Sequence, residues 1–172
     1  MAGNSDDLRK MLRTLSILVI FILSIYLIHF ILSIVVVVIG AVFRWQCQIQ
    51  TNIPVYLIVI GSVSIFYYGL ASVFVSKVLK EKSKEKFMEK LISKVFMTIM
   101  AVVLVFQLAW NITGAVWVFG TKTTVQSSDL SLSTYCHSIP YYFAFAYCIF
   151  SFIVLFLPCL ASLISIPYMM NE

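Results

Sequence analysis

Charge is what this sequence has least of. Only 11% of its 172 residues are Asp, Glu, Lys or Arg, where soluble domains run near a quarter. A chain so poor in charge lacks the polar surface that keeps a domain in water. Cysteine is scarce as well: four in all, too few and too scattered for a zinc motif or a small secreted scaffold. Histidine occurs twice, as His29 and His137. Nucleophilic catalysis needs a base within reach of a nucleophile and a third group to orient it. Cys136 and His137 are neighbours in sequence, and neighbouring side chains rarely face one another. No nucleotide-binding loop is present, and no metal motif. The expectation is a non-enzymatic protein with no cofactor and no identified small-molecule substrate.

What the sequence has is hydrophobicity, 62% of the chain, in four long runs at 15–43, 53–76, 95–119 and 140–169. Runs of about 20 apolar residues or more are too long for ordinary core helices and long enough to cross a bilayer. None shows the alternation of a strand, and an open sheet in lipid would strand its edge amides. The first run is too long for the apolar core of a cleaved signal peptide, roughly 7–15 residues, and reads as a retained signal anchor. The predicted fold is therefore all-α: one four-span membrane domain over 1–172, with loops at 44–52, 77–94 and 120–139. Arg44 and Trp45 end the first span as a snorkelling cation and an interfacial ring. Pro54 and Pro140 open the second and fourth, where a missing N–H is harmless.

The few charges orient the chain. Of the twelve Lys and Arg, ten fall in 1–14 or 77–94 and two, Arg44 and Lys122, in the other loops. The positive-inside rule then puts both termini and the 77–94 loop in the cytosol. The net charge of +5 is explained by this clustering beside the membrane, and nucleic acid is not expected as a partner. Within 77–94, Glu81, Glu85 and Glu89 run beside Lys82, Lys86 and Lys90 at helical spacing, cross-linked at i,i+3. The simple reading is a solvated extension of two helices. The sharper one makes Lys80, Lys82, Lys84, Lys86 and Lys90 contacts to anionic lipid.

Cys47 and Cys136 each precede a helix on the side opposite the termini, which predicts a disulfide in an oxidising compartment. Cys148 and Cys159 fall inside the fourth run, as inert small hydrophobes. Both outer helix starts carry a cysteine, a short spacer and Ile-Pro-x-Tyr, at Ile53-Pro54-Val55-Tyr56 and Ile139-Pro140-Tyr141-Tyr142. A duplicated hairpin or convergence on a good helix start would each give this. Asn111-Ile112-Thr113 has the form of a glycosylation sequon, but it lies within a span, where the transferase does not reach.

Three stretches carry a resemblance. Cys47-Gln48-Ile49-Gln50 followed by Ile53-Pro54-Val55-Tyr56-Leu57-Ile58-Val59-Ile60-Gly61, then Trp110-Asn111-Ile112-Thr113-Gly114-Ala115-Val116-Trp117-Val118, then Tyr135-Cys136, are similar to the transmembrane protein 272-like family. The order of elements matches over most of the chain. The resemblance implies four spans and no particular activity. Two better-known four-span patterns are missing: the external Cys-Cys-Gly of tetraspanins and the first-loop Trp and Cys pattern of claudins.

No Asp, Glu, Lys or Arg lies inside a span, which argues against a proton-coupled transporter or a charged selectivity ring. Neutral polar groups do lie there. His29, with Ser33 one turn on, Ser64, Gln107 and Ser151 fall near one depth, counted inward from the helix ends, and Asn111 follows Gln107 at i,i+4. Such groups seek partners across helices. Two roles follow. The first is a tetraspan scaffold or interaction module, with the layer as an internal seam and with lipid, other membrane proteins or further copies as partners. The second is a subunit of an oligomeric channel, with the face of Gln107, Asn111 and Gly114 lining a pore between protomers. The expected location is the plasma membrane or a secretory-pathway membrane.

Overall fold

The computed structural model describes the backbone of residues 3–80 and 86–169, and side chains chiefly within 16–73 and 93–157. Four helices account for nearly all of it: α1 (Gly3–Val42), α2 (Asn52–Lys80), α3 (Lys86–Gly120) and α4 (Ser138–Met169). Each contains a segment long and apolar enough to cross a bilayer: Ser16–Val42, Asn52–Val73, Ser93–Gly120 and Ser138–Leu157. The chain is a multi-pass membrane protein in this sense. Among the described residues there are only two isolated β-bridges, both in the loops.

The helices outrun the apolar segments at one end. Helix α1 begins at Gly3, not near Leu15, and α2 continues to Lys80. Nothing in either flank breaks a helix, so hydrogen bonding continues after hydrophobicity stops. At the other end, sequence and structure agree within two residues. Helix α4 starts at Ser138, and the His137 imidazole caps it: Ile139 N–H donates to His137 Nδ1 at 3.2 Å, which satisfies one of the free first-turn amides. Lys80, Lys86, Lys90 and Cys159 lie outside the described side chains, and Lys82 and Lys84 outside the described residues altogether.

Helix α1 packs most extensively on α2; α3 and α4 complete the bundle, α2 meets α4 across its diagonal, and among the described residues α1 and α3 make no close backbone approach. Glycines set the closest approaches. A Cβ on Gly61 would lie 2.6 Å from Ser33 O, and one on Gly40 would lie 2.7 Å from Pro54 O. These two glycines bring α1 and α2 to backbone contact, as small residues do in membrane helix pairs. Away from these contacts the helices present large apolar side chains: Ile17, Phe21, Leu27, Val105 and Val116 are all well exposed. Exposed residues of that kind over the whole circumference suit lipid as the solvent.

The 43–51 and 121–137 loops form one small cap. Cys47 and Cys136 have their Sγ atoms 2.07 Å apart, at disulfide distance. Backbone bonds lace the same segments: Gln48 N–H to Tyr135 O at 2.8 Å, His137 N–H to Gln46 O at 2.8 Å and Cys136 N–H to Gln126 O at 2.9 Å. Beyond them Ser131 donates from its hydroxyl and its amide to Asp129 Oδ1, at 2.7 and 2.9 Å. The hydroxyl bond, then the amide bond, hold that carboxyl below its usual range. Arg44 stacks on Trp45, 5.1 Å from the ring centre, and Trp45 is itself highly exposed.

Candidate functional site: a polar layer within the bundle

His29, Ser64, Gln107 and Ser151 each lie twelve or thirteen residues from the capped end of their helix. At about 1.5 Å per residue that is a common depth of roughly 20 Å. All four are buried, as are Ser33 and Asn111. These side chains bond across the helices.

The bonds form two groups. In the first, His29 is held at both ring nitrogens: Tyr68 Oη lies 2.9 Å from Nδ1 and Ser151 Oγ lies 3.1 Å from Nε2. One ring nitrogen donates and the other accepts, so the tautomer follows the direction of this relay. Ser33 gives its hydroxyl proton to the His29 carbonyl at 2.7 Å, so the 2.9 Å contact between Ser33 and Tyr147 is a Tyr147 O–H donating to Ser33 Oγ. Ser64 likewise gives its proton to Ile60 O, at 2.8 Å, and receives the Gln107 amide at 3.0 Å. In the second group Tyr56 Oη donates to Asn111 Oδ1 at 2.6 Å, and Asn111 Nδ2 donates to Cys148 O at 3.4 Å. Every helix contributes. Among the described residues, no fully buried side-chain nitrogen or oxygen is left without a partner.

Three tyrosines complete the layer, Tyr56, Tyr68 and Tyr147. Tyr56, near the start of α2, is fully buried inside the bundle. The Tyr147 hydroxyl donates to Ser33 and lies 3.4 Å from Ser64 Oγ. The signal was available: Tyr56, Ile60, Ser64 and Tyr68 recur every four residues, one stripe on α2, and Tyr147 sits four residues before Ser151 on α4. Gly114 continues the face of Gln107 and Asn111, as expected, and that face turns inward. The Tyr56 ring lies against Gly114, leaving no room for a side chain there.

The layer borders a cavity that reaches about one turn toward the chain termini. Its volume is about 140 Å³, and it is lined from all four helices, by Tyr26 and His29, Ser64 and Tyr68, Leu104 and Gln107, and Ser151 and Val154 among others.

Chemically the arrangement is a set of neutral donors and acceptors. No group of His, Cys, Asp and Glu among the described residues is placed to hold a metal. Cys136 lies at disulfide distance from Cys47 and is not a free thiol beside His137. Cys148 is buried, with its Sγ 3.8 Å from Asn111 O. In comparisons with known proteins, no family model, no curated protein and no solved structure matches the chain.

Proposed function

We propose that the chain is a non-enzymatic tetraspan scaffold or interaction module that acts by association within a membrane. One observation carries this reading. Buried polar side chains of all four helices bond to one another inside a single bundle, so the large apolar side chains on the outside are free for lipid or for other membrane proteins. The alternative, an oligomeric channel, would need Gln107, Asn111 and Gly114 to face a neighbouring protomer. Their burial against α2 and α4 favours the scaffold. The stretches resembling the transmembrane protein 272-like family support the same four-span reading and add no activity to it.

Orientation is part of the proposal. The ten-to-two division of Lys and Arg supports cytosolic termini, and a Cys47–Cys136 bond suits a cap on the oxidising side of the plasma membrane or a secretory-pathway membrane. An epitope tag at either terminus is expected to stay hidden from antibody on intact cells, and one beside Ser127 to be stained. Staining of an N-terminal tag would reverse the orientation. The role itself is tested by dye flux through reconstituted liposomes, where the scaffold reading expects no flux above protein-free vesicles.

A further inference from the structure

We propose that the cavity beyond the polar layer is a binding site for a small, uncharged, lipophilic alcohol or phenol, with its hydroxyl donating to Gln107. Four observations define the ligand. The first is charge: none of the lining residues is Asp, Glu, Lys or Arg, so an ion would enter without a counter-charge, at high cost in such surroundings. The second is size. A volume of about 140 Å³ is close to that of a dry protein cavity that takes up benzene. The third is the character of the walls. Ile60, Leu104, Val154 and Leu155 and the tyrosine rings make most of the lining apolar, which disfavours a cluster of waters, each needing two to four polar partners.

The fourth is Gln107. It is only 5% exposed, lines the cavity, and donates its amide to Ser64. Among the described residues nothing donates to its side-chain oxygen, and that atom is not fully occluded. The residue that carries it lines the cavity. An amide oxygen without a donor, on a residue that borders an apolar space, has room for one, and a hydroxyl on an apolar body supplies it.

Depth separates two sources of that chemistry. A lipid such as a sterol holds its hydroxyl at the membrane surface, whereas Gln107 lies roughly 20 Å from the capped helix ends, well inside a hydrocarbon core of about 30 Å. A small molecule that dissolves in the bilayer reaches this depth; an anchored headgroup does not.

The test uses the full chain in nanodiscs, with fluorophenol as the probe, observed by fluorine NMR. Saturable binding is expected, displaced by unlabelled phenol. Fluorobenzene, equal in shape but without the donor, should bind about tenfold more weakly, the worth of one hydrogen bond. Gln107→Leu should erase that difference. Val154→Phe and Leu104→Trp, which fill the cavity from two helices, should each remove the saturable signal while the protein still melts cooperatively. Purely partition-like uptake would overturn the proposal. So would a saturable signal that survives both filling substitutions, or fluorobenzene binding as tightly as fluorophenol. Displacement of the probe by cholesterol would assign the site to a lipid and overturn the small-molecule reading.

Discussion

Gly114→Ala is expected to destabilise the protein by about 3 kcal/mol, the upper part of the range for overpacking a filled core. The added Cβ would lie 2.6 Å from Tyr56 Cζ and closer still to two other atoms of that ring. The ring has nowhere to go, because Tyr56 is fully buried and its hydroxyl is held by Asn111. Moving it would also leave Asn111 short of its donor in a setting without water, where an unsatisfied polar group is costly. Thermal melting in mild detergent measures the loss. The cause is checked in a Tyr56→Leu background, where the alanine should cost far less than in the parent, because the two sites are in contact and their effects are not additive. Equal losses in both backgrounds would show that the Tyr56 contact is not responsible.

Loss of the Cys47–Cys136 link should have an effect of similar size. The two residues are 89 apart in sequence, and a bond between them closes α2 and α3 into one large loop. Removing a disulfide of that kind typically costs about 2–5 kcal/mol, much of it by freeing the unfolded chain. Cys47→Ser and Cys136→Ser should each lower the melting point by a similar amount, and each should abolish the mobility shift that reduction produces in the parent on a denaturing gel. The cap should still form in the folded variants, since the backbone bonds from Gln48 to Tyr135 and from His137 to Gln46 do not depend on sulfur. A reduction-dependent shift that persists in both variants would place any disulfide elsewhere.

The membrane-crossing segments were legible because lipid imposes a simple rule, and the long uncharged runs obey it. Helix ends were legible only where the chain must turn. At the cap, Pro54, Pro140 and the loop composition mark the starts closely, whereas α1 extends to Gly3 because polar residues such as Asp6 and Arg9 are no obstacle to a helix. The depth of the polar layer could be counted from the sequence, since all spans share one rise per residue. Its pairings could not. His29 bonds to Tyr68 and Ser151, and Gln107 to Ser64, because of how the helices are rotated, and rotation depends on contacts such as Gly61 against Ser33. Tyr56 shows the limit most clearly. A tyrosine two residues after a proline at a helix start reads as an interfacial anchor, and only the burial of its stripe against Asn111 and Gly114 gives it a different task.

Whether Gln107 belongs to a seam inside one bundle or to a conduit is read from one preparation of Gln107→Leu beside the parent. Both proteins are melted and both are reconstituted into dye-loaded liposomes. The seam predicts a stability loss of about 1 kcal/mol, the ordinary worth of one hydrogen bond between membrane helices, with no flux from either protein above protein-free vesicles. Flux from the parent that disappears in Gln107→Leu, with the melting point unchanged, would contradict it.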